Sequence, residues 1–330
     1  MKIPASATPA FEIIAPGPLA QFQDTGRYGV AHLGMTTAGA IDNDAYYWAN
    51  RLCNNTEGAT VIEIAFGGYK ARALTCCSIA ITGCSLNVMV NGKRVSQWVS
   101  THLKPGDLLT LDYSKSGARA YLAIAGGFAS PELFNSASTC NREDLLPPIT
   151  ASQTLYANTS STACIEQALS RSDFSQLGAA YGEQSLPDTL GIVINTNNTQ
   201  WSPTEQAQLE EQLTNQCFNV SPQSDRMGIR LTSSAVIKMP SQTVLSEGMA
   251  TGTVQLPPSG QPIIMMHDHQ TIGGYPKIGY LMETHWPKVA QLIPGNQVRF
   301  DVVTLEQAIA ALKHRQEQRN TIALHPIRRW

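Results

Sequence analysis

The chain has 330 residues, 42% of them hydrophobic and 15% charged, with a formal net charge of −2. At roughly 150 residues per domain that length predicts about two domains, and the apolar fraction excludes a globally disordered chain. No Lys/Arg run forms the basic stripe of a nucleic-acid binder, and no segment reaches the ~18 apolar residues of a membrane-spanning helix.

In chain order, the opening MKIPASATPAFEIIAPGPL lacks the continuous apolar core of a secretory signal. Short apolar runs bounded by Gly, Pro or Asn predict strands at Val61–Ala65, Ser78–Ile81, Leu108–Leu111, Ala120–Ala125, Ile192–Ile194, Ile263–Met266 and Val298–Val303. Between the first two of these and the third, Val88–Val95 reads as a hairpin around Asn91-Gly92, a turn whose central residues both need positive φ. Helices are few and marked by caps. Asp42 caps one with Ala45, Trp48, Ala49 and Leu52 on one face. Ser202-Pro203-Thr204-Glu205 is a capping box with Pro at the first helical position, opening a helix to about Asn215. A short helical turn covers Pro287–Leu292. Thr304 to Gln307 opens a last helix with Leu305, Ala308, Ile309 and Leu312 on one face. The closing Arg328-Arg329 reads as a solvated tail.

Two echoes recur in the same order. Asp24-Thr25-Gly26-Arg27 resembles Asp225-Arg226-Met227-Gly228, and Lys104-Pro105-Gly106-Asp107 resembles Ile293-Pro294-Gly295-Asn296. They predict a duplicated β-rich domain, with the polar stretch around Ser172–Pro187 as the junction. The division is expected at residues 1–185 and 186–330. The seven cysteines form no CxxC pair, which fits reduced thiols in a cytoplasmic protein.

Four stretches could carry chemistry. In the first, Arg27 sits between glycines that allow close backbone approach. It could grip a carboxylate bidentately, a charge-assisted contact of about 1.5–3 kcal/mol, or pair with Asp24 to pin a turn. Arg226, in Ser224-Asp225-Arg226-Met227-Gly228, allows the same two readings. Between residues 246 and 262, two Gly-bounded turns flank a strand carrying Gln255, and the rigid Pro257-Pro258-Ser259-Gly260 turn could present Ser259 to an anion or simply close a hairpin. No GxSxG elbow supports a serine nucleophile.

The fourth stretch is Met265–Gly279, MMHDHQTIGGYPKIG. If Met265–Gln270 is extended, His267 and His269 share one face, and Asp268 and Gln270 the other. An H-x-H pair needs a third ligand from elsewhere to hold a metal, and the other five histidines stand in no ligand-like spacing, so no metal is expected. Gly273-Gly274 with Tyr275 and Lys277 nearby forms a generic anion cradle, although the sequence has no P-loop and no GxGxxG.

These segments resemble a known family. GPLAQFQDTGRYGVAHLGMTTAGAIDNDAYYWANRL, VIEIAFGG, VSPQSDRMGIRL, LSEGMATGTVQLPPSGQPIIMMHDHQTIGGYPKIG and LIPGNQVRF are similar, block by block, to the biotin-dependent carboxyltransferase-like family, also called allophanate hydrolase subunit 2. The resemblance spans about residues 11–303. It implies a mainly β fold, tandem cyclophilin-like β-barrels with a few short peripheral helices. Free-standing members of this length are mostly the C subunit of the bacterial ATP-dependent 5-oxoprolinase. The resemblance therefore implies hydrolysis of 5-oxoproline to L-glutamate, with the B and A subunits of that enzyme as partners. ATP, with or without Mg²⁺, is the implied cofactor.

The family pattern runs through Asp24, Arg27, Asp42, Glu63, Asp225, Arg226, Glu247, Gln255, Asp268, Gln270, Gly273, Gly274, Tyr275 and Lys277. On these positions residue type suggests Lys277 for phosphate, Arg27 or Arg226 for the substrate carboxylate and Asp268 as acid/base, with Tyr275 beside them. Gln255, Ser259, Gln270, Gly273 and Gly274 complete the expected substrate site.

Three departures stand out. Histidines occupy 267 and 269, where members usually have a small residue and often Arg. The Gly-rich stretch expected after Thr139 is replaced by Cys140–Leu145, and a PGPQ stretch by Asn195–Asn198. Alternatives are a carboxyltransferase-type partner of a biotin-dependent urea carboxylase/allophanate hydrolase system, or a non-catalytic regulator of a B-subunit homologue. Lys238-Met239 lacks the leading Met of a biotin acceptor, so biotin would arrive on another chain.

Overall fold

The computed structural model describes residues 4, 6–158, 166–170, 173, 188–194, 201–241 and 245–326. The junction expected around 172–187, Asp173 apart, the departure at 195–198 and the 328–329 tail lie outside these. The chain is mainly β and divides into two compact units, one of Met1–Tyr28, Ala38–Glu183 and Ile322–Trp330, the other of Gly29–Thr37 and Gln184–Thr321. Among the described residues no helix is long and apolar enough to cross a membrane.

In the first unit a seven-stranded and a five-stranded sheet, both antiparallel, enclose one core. The five-stranded sheet runs in the order Leu19–Gln23, Val61–Ala65, Ser116–Ile124, Cys77–Ser85, Ser100–Leu103. Apart from a register shift between Ser116 and Ala120, its side chains alternate. Ile62, Ile64, Ile81 and Leu122 face the core with Phe11, Phe22 and Phe128. Val61, Ala80, Tyr121 and Ala123 face the other way, onto helix α1 (Asn43–Leu52) through Ala45, Trp48, Ala49 and Leu52. Asp42 caps α1 as expected, accepting the Ala45 N–H at 2.9 Å. The Val88–Val90 and Lys93–Val95 strands form the expected hairpin, with Asn91 and Gly92 at φ 52° and 75°.

The second unit contains a closed barrel in the order Asp188–Ile194, Lys277–Leu281, Thr253–Gln255, Ile263–Met265, Gly228–Thr232, Phe218–Val220, Gln297–Val302. The parallel pairing of Gln297–Val302 with Asp188–Ile194 closes it. Inside, alternate residues such as Ile192, Ile229, Leu231, Val254, Ile264, Val298 and Phe300 are buried. Helix α2 (Pro203–Thr214) carries the expected capping box and buries Leu209 and Leu213. Helix α3 (Trp286–Gln291) follows a short 3₁₀ turn.

Helix α4 (Leu305–Thr321) forms where its Thr304 cap predicts, yet it buries no residue. Its apolar positions Leu305 and Ile309 are exposed. Local capping sets where a helix starts; it does not decide what the helix packs against.

Candidate functional site

The turn at Asp225–Gly228 organises one end of the barrel. Asp225 Oδ1 accepts the Met227 and Gly228 N–H groups at 2.8 and 3.1 Å. Beyond Met265 the neighbouring strand does not stay extended. Met266 N–H donates to Met227 O, Asp268 N–H to Arg226 O and His269 N–H to Met266 O. The last of these bonds closes a turn, and it overturns the alternation expected over Met265–Gln270. His267, Asp268 and His269 are all buried.

The histidines are built into the wall. The His267 ring packs edge-on against Trp286 with centroids 5.4 Å apart. His269 Nδ1 lies 2.6 Å from the Gln270 carbonyl. A carbonyl only accepts, so that nitrogen carries the proton. Among the described residues no three His, Cys, Asp or Glu side chains gather as a metal-binding set.

Several expected site residues are committed inside the protein. Arg226 Nε and Nη2 each donate to Asp268 at 2.9 Å, a buried fork-on-carboxylate pair. Lys277, also buried, donates from Nζ to Gly248 O at 2.7 Å and lies 3.2 Å from Glu247 Oε1. In the first unit Arg27 is buried and does not pair with Asp24. Its Nη2 donates to Ser138 O, and among the described residues its Nε and Nη1 have no hydrogen-bond partner. Asp24 pins the turn without it, accepting from Gly26 N–H, Ser136 Oγ and Ser138 Oγ at Oδ1 and from Ala137 N–H at Oδ2. After Thr139 the short segment closes on itself through Cys140 and Leu145.

The structure brings others together. Gln255, Gln270 and Tyr275 line a cleft of about 190 Å³ with Asp225 and Arg230. Ser259 lines an adjoining cleft of about 560 Å³ with Gln223 and Gln261. Arg230, Pro257 and Ile263 belong to both. Gly273 abuts the smaller cleft from behind: a Cβ there would come within 2.6 Å of Gln255 Nε2 and 2.9 Å of Met249 Sδ. Gln255 Nε2 itself is only loosely held, 3.4 Å from Tyr275 O and 3.4 Å from Met249 Sδ. Gly274 is exposed, next to Ser246. Asp268, Arg226 and Lys277 are not in the lining of either cleft.

The residue the sequence reading missed is Arg230. In Gly228-Ile229-Arg230-Leu231-Thr232, Ile229 and Leu231 turn into the barrel and Arg230 is exposed, so period-2 alternation alone could have placed it outward.

Comparison with known proteins adds to this geometry. The family model for the carboxyltransferase domain, subdomains A and B, matches residues 33–302. The chain is 31% identical to the 5-oxoprolinase C subunit of Haemophilus influenzae over 313 residues, 94% of this chain and 95% of that protein. It is 36% identical over 131 residues to the urea amidolyase of Lachancea kluyveri, covering 39% of this chain and 7% of that one. The crystal structure of the K. lactis urea amidolyase superposes with a TM-score of 0.83 at 22% identity, over 98% of this chain and 20% of that one. The chain thus spans nearly all of the first relative and a small part of the two urea amidolyases.

Proposed function

The chain belongs to the family of the carboxyltransferase domain, subdomains A and B, and from that membership we propose that it is the C subunit of an ATP-dependent 5-oxoprolinase. In this reading it hydrolyses 5-oxoproline to L-glutamate together with homologues of the B and A subunits. The end-to-end match to the Haemophilus influenzae protein of that name carries the reading.

The chemistry of the smaller cleft supports it. At about 190 Å³ it falls below the roughly 300–1,000 Å³ of drug-sized pockets, a size for a single small ring. A lactam presents an N–H and a C=O side by side, and the carboxamide NH₂ of Gln255 or Gln270 can donate to that C=O. The Tyr275 hydroxyl can donate to the carbonyl oxygen on which charge develops. Lactams are poor electrophiles. ATP would supply the activation of that carbonyl that lets water add and the C–N bond break. The two clefts are lined by one cation, Arg230. That does not fit a triphosphate with its magnesium, so no step is assigned to ATP on these residues. Asp268, Arg226 and Lys277 act here by holding the wall.

The test is reconstitution. This chain, its B- and A-subunit homologues, ATP and 5-oxoproline should together release glutamate, and omission of this chain should abolish the release. Glutamate formed equally well without it would instead make the chain a non-catalytic regulator. The local match to urea amidolyase favours one second reading, a carboxyltransferase partner served by biotin on another chain. Turnover of urea with a biotinylated carrier, and none of 5-oxoproline, would establish it.

A further inference from the structure

The charges around the smaller cleft are unequally engaged. Arg226 is held by Asp268, and Lys277 by Glu247 and Gly248. Asp225 spends Oδ1 on its own turn. Arg230 uses its backbone N–H for Ser224 Oγ at 3.0 Å, but among the described residues its guanidinium has no hydrogen bond or ion pair. It is exposed, on the wall common to both clefts. A guanidinium is a planar fork of donors matched to a carboxylate. With one cation and one carboxylate edge in the lining, the smaller cleft is complementary to a ligand that is itself anionic at one end and an N–H donor at the other.

We infer that Arg230 anchors the carboxylate of a small acid in this cleft, with Asp225 accepting the N–H beside it. The ligand class is a small carboxylic acid carrying an amide or amine N–H. The inference deepens the 5-oxoprolinase reading and rests on it only for which acid is bound.

Binding to the full-length chain, followed by calorimetry, tests this with three probes: 5-oxoproline, its neutral carboxamide, and cyclopentanecarboxylate, which has the anion but no N–H. A charge-assisted fork predicts that 5-oxoproline binds about 10–100-fold more tightly than the carboxamide. R230Q should erase that preference, and R230K should restore part of it. Arg230 makes no side-chain bond among the described residues, so R230Q should melt at the wild-type temperature. Unchanged 5-oxoproline binding by R230Q, or no saturable binding of either acid to the wild type, overturns the anchor. Equal binding of 5-oxoproline and cyclopentanecarboxylate overturns the role of Asp225. If cyclopentanecarboxylate binds through Arg230 and 5-oxoproline does not, the anchor stands and the 5-oxoprolinase reading falls.

Discussion

The buried Arg226–Asp268 pair joins two residues that the sequence marks as site candidates. Both carboxylate oxygens are bound to one guanidinium. Asp268→Ala strands a buried cation, a loss of about 3–5 kcal/mol that urea denaturation should register as a lower midpoint. His285 acts in the opposite sense. Its burial, with Lys288 and Arg315 alongside, depresses its pKa from 6.5 to about 4, and its neutral Nδ1 accepts the Gly191 N–H at 2.7 Å. The unfolded chain binds that proton more readily, so the stability contributed by His285 is complete above pH 6.5 and is lost as the pH falls toward 4. Denaturation midpoints at pH 7 and pH 5 should differ less in His285→Asn than in the wild type. At Gly273 an added methyl would press on the Gln255 amide and Met249 sulfur. Both are ends of side chains that can give way, so Gly273→Ala should weaken ligand binding more than it lowers the melting temperature.

Elements are set partly by local signals and partly by distant partners, and only the first kind can be read from sequence. Asp42 and Ser202 mark their helix starts because the cap is made within three residues. Asp42→Ala should accordingly cost about 1–2 kcal/mol, measurable as a loss of denaturation midpoint. The Asn91-Gly92 hairpin is legible for the same reason: two adjacent residues accept positive φ. The end of the Ile263–Met265 strand is not legible. The backbone of Met266 and Asp268 pairs with Met227 and Arg226, far back in the chain, and no signal near residue 266 announces it. Likewise α4 has a readable cap and a readable apolar stripe, but whether that stripe is covered is decided elsewhere. For the candidate site, sequence placed Gln255, Gln270 and Tyr275 together, and all three line one cleft. It could not foresee that Lys277 would be claimed by Glu247, or that Arg230 would stand on the wall of both clefts with its guanidinium uncommitted among the described residues.

At the scale of the whole molecule the two units are interleaved along the chain. The first unit is completed by residues that follow the second in sequence. Leu324–Pro326 pairs with Gln167–Leu169, Ile322 packs into the cluster around Trp48, and Arg51 Nη2 donates to Ile322 O at 2.7 Å. Removing residues from 322 onward should therefore lower the stability of the first unit by on the order of 2 kcal/mol, from the loss of one buried Ile alone. The measurement is the melting temperature of the truncated chain. On a ribosome adding about 5–20 residues per second, the α1 face of the first unit must wait for the whole intervening unit to be made before its last strand arrives. For roughly ten seconds or more the nascent protein carries Gln167–Leu169 without its partner strand, with Leu169 against the cluster around Trp48. That interval is when a chaperone, or a second nascent copy, has its best chance of engaging it.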